Sequence, residues 1–246
     1  MLSSDDNKDT IVKKMENLSQ SELDVILCQK RQAFDNGDFE ASRLIFKDLN
    51  LSGLDLRDFK TVKADFVNVN LSGANLSNVF WEQSQFVLVN FNEAILEEAS
   101  LDQSRVSDCN FSSSNLLQAN LNSLRAYRSS FVSVEGLRAS LIKGDFHDCD
   151  FQDANFEEAT AAKANFIHSV LQKSVFSKAD LQGSQFINSD LRFCNLSEAN
   201  LSRSKFIESS LFCINIKGSI TTDSVGRKVD LSQEGDGSEI IEEFVF

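Results

Sequence analysis

From Phe46 to Ile216 the chain repeats one five-residue pattern of apolar and polar positions. A bulky apolar residue returns at every fifth position, and 28 of these 35 positions are Leu or Phe. The residue two places earlier is small: 29 of the 31 such positions from Ala64 to Ile214 are Ala, Ser, Val, Cys or Gly. The residue just before the large one is Asn or Asp about half the time, as in Gly73-Ala74-Asn75-Leu76-Ser77 and Glu198-Ala199-Asn200-Leu201-Ser202. A period of five matches neither the 3.6 of a helix nor the two of a strand, so the chain must turn after each unit. The pattern predicts a coil of short sides, with the large and small residues pointing inward.

The number of sides follows from phenylalanine, because stacked coils place like side chains above one another. Sorted at a period of 20, the 13 Phe residues at large positions fall seven, four, two and none on four sides; at a period of 15 they scatter four, four and five. Four sides per coil is the sharper solution. One side carries Phe46, Phe66, Phe86, Phe146, Phe166, Phe186 and Phe206, and the next carries Phe91, Phe111, Phe131 and Phe151. Both series are expected to form internal aromatic ladders. Asn50, Asn70, Asn90 and Asn110 share the same spacing, which suits side-chain amides bonding from coil to coil. With strands ~4.8 Å apart the coils build a rod on the order of 40 Å long, stabilised by nearest-neighbour stacking.

Units of small residue, Asn or Asp, Leu or Phe and two polar residues resemble the pentapeptide repeat family, over about 70% of the chain. The resemblance implies an all-β solenoid, a right-handed quadrilateral β-helix, with the handedness coming from the family alone. It also implies function: some members mimic double-stranded DNA, bind type II topoisomerases and protect them from quinolones. Topoisomerase-protecting members of the quinolone-resistance group typically interrupt their coils with projecting loops, whereas this chain holds one phase from Phe46 to Ile216 without insertion.

Both ends of such a rod need covers, because an open end exposes core and unpaired strand edges. Residues 1–45 are read as an N-terminal helical cap, 46–218 as the solenoid, and 219–246 as an acidic C-terminal tail that caps or dimerises. Ser19 to Phe34 reads as an amphipathic helix, with Ser19 and Glu22 spaced as a capping box, Leu23, Ile26, Leu27 and Phe34 on one face, and Gly37 past its end. A shorter helix is expected over Thr10 to Leu18. In the tail, Ile240, Ile241, Phe244 and Phe246 make an apolar terminus that either folds onto the last coil or pairs with a second subunit. Family resemblance implies the second arrangement, a homodimer joined through C-terminal coils.

Composition narrows the partners. The net charge of −13 disfavours direct binding to nucleic acid or to an anionic membrane. The solenoid itself holds 21 acids and 16 bases, so the acidity is densest in the tail. No apolar run reaches the roughly 18 residues of a membrane span, and the start of the chain lacks a signal-peptide pattern; the expectation is a soluble, cytoplasmic protein. The five cysteines form no C-x-x-C pair, and Cys109, Cys149 and Cys194 fall on the small inward position as reduced thiols.

Several outward positions are candidates for function. Val67, Val87, Ile167, Ile187 and Ile207 form an apolar stripe that either receives a partner or simply suits exposed strands. The acidic pairs Glu97-Glu98 and Glu157-Glu158 lie three coils apart, about 14 Å, too far for a carboxylate dyad. The middle coils lack bulk at Ala126, Gly136 and Ala161, and Arg105, Arg125, Arg128, Arg138 and Tyr127 gather nearby. These bases form either a recognition patch or alternating-sign ladders with Asp108, Asp148, Glu98, Glu158, Lys178 and Glu198. His147 and His168 near Asp148 are better read as solvated polar residues than as a metal site. No phosphate loop, Ser-His-Asp set or Cys-His set is present, so neither enzyme activity nor a cofactor is expected.

The function expected is that of an interaction protein, binding a protein partner through its solenoid surface, with a type II topoisomerase as the partner the resemblance suggests. The alternative is a regulatory, targeting or effector scaffold that works through its helical leader and apolar C-terminus.

Overall fold

The computed structural model describes residues 17–232 and 240–245. Two helices, α1 (Gln20–Asp35) and α2 (Phe39–Ser42), precede β1 (Ile45–Asn50), β2 (Lys60–Val62), β3 (Asp65–Asn70), β4 (Phe80–Glu82), β5 (Gln85–Val87), β6 (Arg105–Ser107) and β7 (Arg125–Tyr127). Then follow β8 (Asp145–His147), β9 (Asn165–Ile167), β10 (Gln185–Ile187), β11 (Lys205–Ile207), β12 (Val225–Asp230) and β13 (Ile240–Val245). β1, β3 and β5 to β12 stack in parallel, each residue opposite the one twenty further on, as in Phe46 with Phe66 and Phe186 with Phe206. Parallel bridges at the same offset hold the other sides, among them Asn70 with Asn90, Asn75 with Ile95 and Phe80 with Ser100. The chain is therefore a four-sided parallel β-solenoid of about nine turns with a short helical N-terminal segment.

The expected ladders run up its core. On the side of Phe46, the rings of Phe146, Phe166, Phe186 and Phe206 stack face to face with centroids 5.2, 5.2 and 5.0 Å apart. This ladder breaks at Val106 and Ala126, where the next side takes over: Phe91, Phe111, Phe131 and Phe151 stack at 4.4, 4.9 and 4.7 Å. Bulk thus passes from one wall to its neighbour while the interior stays filled. The irregular middle coils follow the same rule. Phe146, Phe151 and Phe156 crowd one coil, whose fourth side carries only Ala161, and the ring of Phe156 leans into the space over Gly136.

Each corner contains a residue with positive φ, two places after the large one, and few of these are glycine. Asp58, Asn78, Glu98, Gln118, Arg138, Glu158, Lys178 and Glu198 all lie between 56° and 58°. An L-residue in this region costs about 1–2 kcal/mol, yet its amide gains a bond to the coil above, as in Glu98 to Leu117 O at 2.9 Å and Arg138 to Glu157 O at 3.0 Å. Coil closure, not residue preference, selects the conformation.

Two side-chain ladders explain the rest of the five-residue code. In the stack of Asn50, Asn70, Asn90 and Asn110, the amides of the last three each donate to the Oδ1 one coil below at 3.0, 3.1 and 3.3 Å. Their Oδ1 atoms also accept the amide two residues on, as Ser72 N gives to Asn70 at 3.1 Å. Asn or Asp before the large residue therefore closes a local turn and joins the coils. Inside the corner after the Phe46 side, the small residues Cys109, Ser129, Cys149, Ser169, Ser189 and Ser209 are buried. The hydroxyls of Ser129, Ser169, Ser189 and Ser209 accept the amides of Cys109, Cys149, Ser169 and Ser189 at 3.1–3.2 Å. Alanine there would leave buried N–H groups without partners.

At the N-terminal end α1 has the expected capping box, with Ser19 and Glu22 bonded reciprocally. Leu23 and Leu27 are buried and Ile26 partly so. The short helix expected over Thr10–Leu18 lies mostly outside the described residues; of its last two residues, Asn17 forms a parallel bridge with Asn50 and Leu18 is not helical. Asn17 Oδ1 accepts from Asn50 at 2.8 Å, and the Gln20 amide pairs with both N and O of Asp55 at 2.8 and 2.9 Å. The leader thus satisfies the open edge of the first coil.

At the other end, stacking continues past Gly218, where the apolar pattern fades, to β12. Thr221 and Gly226 stand at large positions, and Ser210 still bridges Asp230. β13 then returns antiparallel along β12, pairing Val229 with Ile241 and Gly226 with Phe244. Of the two arrangements open for the tail, the backbone of this one lies on the last coil's edge. Ile241 is exposed, the side chains of Ile240 and Phe244 fall outside the described set, and Phe246 lies outside the described residues.

Candidate interaction surface

The coil dictates which side chains reach solvent: those flanking each large residue and those at the corners. On the continuous sheet, Val67 faces Val87, and Ile167, Ile187 and Ile207 face one another in register. All five are half-buried by their neighbours. Ser107, Tyr127 and His147 fill the gap between the two runs, and the Tyr127 and His147 rings stack with centroids 5.2 Å apart. The apolar stripe is a row one residue wide that crosses successive strands, divided in its middle by Ser107, Tyr127 and His147.

The acidic pairs occupy the opposite flank of the rod. Glu157 and Glu158 are not free: Lys178 lies 3.0 Å from Glu157, and Arg138 lies 2.7 Å from Glu158. The Arg138 bond holds the Glu158 carboxyl below its usual range, and the Glu157 bond holds the Lys178 ammonium above its own. Glu97 and Glu98 lie three coils earlier and are not joined to them. The four carboxylates form no common site.

The basic cluster divides cleanly. Arg128 makes a two-pronged contact with Asp108, both bonds 2.8 Å, which lowers the Asp108 pKa through those hydrogen bonds. Together with Arg138 it belongs to alternating-sign ladders. Arg105 and Arg125 do not: they stand opposite each other on β6 and β7, both exposed, and neither side chain has a hydrogen bond or ion pair among the described residues. Asp145 is in register with Arg125, but its Oδ1 engages His147 at 3.1 Å. Asp65, two coils before Arg105, is held by Arg43.

The histidines separate for the same reason, since His147 stacks on Tyr127 and His168 sits on the corner row. Among the described residues no three His, Cys, Asp or Glu side chains converge in a way that could hold a metal ion. Cys109, Cys149 and Cys194 are buried, and burial pushes their thiols up to about 11, 12 and 12 respectively. Cys28 and Cys213 are exposed. No helix among the described residues is long and apolar enough to cross a membrane.

Sequence reasoning grouped Arg105 and Arg125 with Arg128 and Arg138 by proximity and missed a basic corner beside them. Lys63, Lys143 and Lys163 recur at the coil spacing on the corner row that adjoins Arg105 and Arg125, and all three are exposed. The twenty-residue period used for the phenylalanines, applied to lysine, finds it.

A closed backbone ladder on all four sides, with stacked side chains inside and charge rows outside, defines a solenoid that displays a fixed surface. Pentapeptide repeats are matched in eight copies over residues 64–103, 90–123, 149–186 and 184–219. The chain belongs to the pentapeptide repeat family. Solved structures to which the chain is similar include HetL from the cyanobacterium Nostoc sp. Strain PCC 7120, a pentapeptide repeat protein involved in heterocyst differentiation regulation. It is 19% identical, with a TM-score of 0.38, over 85% of this chain and 96% of that one. A trypsin-treated form of QnrB1, a plasmid-mediated fluoroquinolone resistance protein, is 16% identical, with a TM-score of 0.41, over 72% and 89%. A pentapeptide repeat protein of the Arabidopsis thaliana thylakoid lumen is 18% identical, with a TM-score of 0.33, over 44% and 68%. No curated protein matches the chain.

Proposed function

We propose that this protein is a non-catalytic interaction module that binds a macromolecular partner across the flat sheet formed by β1, β3 and β5 to β12. The observation that carries this is the registered outward row of Val67, Val87, Ile167, Ile187 and Ile207, which a stacked parallel sheet holds on one plane beside charged rows. Rigid, pre-ordered side chains lose little entropy on docking, so such a face suits a protein partner. The test is an affinity pull-down with wild type and with Ile167→Arg/Ile187→Arg, both checked for folding by circular dichroism. Partners that depend on the face are lost with the double variant; a partner set unchanged by it overturns this reading.

A type II topoisomerase is the specific partner considered, through DNA mimicry. Mimicry requires unpaired acids, and Glu157 and Glu158 spend their charge on Lys178 and Arg138, leaving Glu97 and Glu98 as its carriers. Gyrase supercoiling and its quinolone response, measured with wild type and with Glu97→Gln/Glu98→Gln, decide it: no effect of saturating wild-type protein excludes this partner.

A second reading, a scaffold acting through its ends, is favoured by β13. Its one edge pairs with β12, and its other edge has no strand beside it among the described residues, a template for a second copy. Removal of residues 240–246 converts a dimer to monomer in sedimentation if this edge joins two subunits. An unchanged sedimentation coefficient rules it out.

A further inference from the structure

The outward bases of the described residues divide into those that meet an acid and those that do not. Arg43, Arg57, Arg128, Arg138, Lys178, Arg192, Arg203 and Lys228 all lie within ion-pair distance of an acid on the same or an adjacent coil. Arg105 and Arg125 belong to the second group, and they also put two like charges directly opposite each other on adjacent strands, an arrangement that is destabilising by itself. Of the nearest acids in their row, Asp65 is paired with Arg43 and Asp145 is hydrogen-bonded to His147 and not to Arg125. Gln103 and Ser123 complete the walls of a shallow groove around the two guanidinium groups, and Gln83, Gln85 and Lys63 extend it toward the N-terminal end. Further along the same corner, Lys143 and Lys163 repeat the like-charge stacking with no ion pair among the described residues.

We infer that this corner is a docking groove for an extended acidic segment of a protein partner, with Arg105 and Arg125 as paired carboxylate anchors. The inference rests on the interaction function proposed above and names the chemistry of the partner. Arg105 and Arg125 stand in register on strands about 4.8 Å apart, each guanidinium fork can match a carboxylate in two-pronged geometry, and the amide and hydroxyl of Gln103 and Ser123 offer further hydrogen bonds. The face also abuts the apolar row and the Tyr127 ring, so a segment that interleaves acidic and apolar residues would contact both. A nucleic acid fits less well, because its continuous phosphates would meet a chain of net charge −13.

The experiment uses the full chain, fluorescein-labelled oligoglutamate, oligoglutamine and a short DNA duplex, with binding followed by anisotropy at low and high salt. Oligoglutamate binds and oligoglutamine does not, and added salt weakens the complex. Arg105→Gln/Arg125→Gln loses roughly tenfold or more in affinity, whereas Arg128→Gln/Arg138→Gln, which removes the same charge from the paired ladders, stays within about twofold. Thermal melts of both variants establish that the coils are intact; relief of like-charge stacking leaves the Arg105/Arg125 variant at least as stable as wild type. Equal loss in both variants reduces the effect to net charge and overturns the inference. So does tighter binding of the duplex than of oligoglutamate, or absence of oligoglutamate binding. If that happens while partner capture still depends on Ile167 and Ile187, the sheet face remains the binding surface and only the acidic chemistry is lost.

Discussion

A Cβ placed on Gly136 would lie 2.5 Å from Cε1 of Phe156, one coil further along the same side. The position that the repeat reserves for bulk is empty in one coil because the ring of the next occupies it. Interior volume is conserved across coils, not within each.

Gly136→Leu alone should therefore destabilise the protein by about 1–3 kcal/mol through overpacking. Phe156→Leu alone should cost on the order of 1 kcal/mol by leaving a void. The double variant restores the ordinary Leu-over-Leu stack and should be more stable than the sum of the two losses, with a coupling of about 0.5–3 kcal/mol. Urea unfolding of the four proteins, read by the buried Trp81, measures the cycle; strict additivity would mean the two positions do not share the space.

The hydroxyl of Ser189 accepts the amide of Ser169 at 3.2 Å and donates to the carbonyl of Phe166 at 3.0 Å. Ser189→Ala should cost about 1–3 kcal/mol, because it strands a buried N–H. Ser52→Ala, at an exposed position, should stay within about 0.5 kcal/mol. Equal melting temperatures for the two variants would remove the inner hydroxyl ladder as a source of stability.

Thiol chemistry distinguishes the inward cysteines from the others. Cys28 and Cys213 are exposed and should react rapidly with a disulfide reagent at pH 8. Cys109, Cys149 and Cys194, buried and pushed up to about 11, 12 and 12, should react only after denaturant opens the coils. Rapid labelling of all five in native buffer would contradict the packing described.

Asp190 is partly buried, which pushes its carboxyl up, but hydrogen bonds from Arg192 and Gln172, each reaching 2.6 Å, outweigh this and hold it below its usual value. A depressed folded pKa contributes stability that is present above the unfolded value of about 3.9 and is lost as pH falls through the folded one. Asp190→Asn should accordingly be less stable than wild type at pH 7, and the gap should close below about pH 4. A gap that widens in acid would reverse the sign of the linkage.

Most of the architecture was legible in residue order because a repeat with period five must place like atoms above like. The twenty-residue spacing of phenylalanine identified both aromatic ladders, Asn50 to Asn110 identified the amide stack, and Ser19 with Glu22 identified the start of α1. The candidate surface was less legible. Val67, Val87, Ile167, Ile187 and Ile207 were found as a row, but Arg105, Arg125, Arg128 and Arg138 read alike, since their difference lies in which carboxylate each side chain reaches.

By itself, then, the sequence determined what periodicity controls: the number of sides, the inward residues, the helical cover and the alternation of outward rows. Tertiary structure alone decided three matters. It set Glu98, Arg138 and Lys178 at positive φ, because closing the coil imposes that turn whatever the side chain. It carried the stack past Thr221 and Gly226 to β12 and laid β13 against it, because an open strand edge seeks hydrogen bonds regardless of apolar pattern. And it left Arg105 and Arg125 without partners while pairing Arg128 and Arg138, because ion pairing depends on the reach of side chains across coils and on acids already claimed by others.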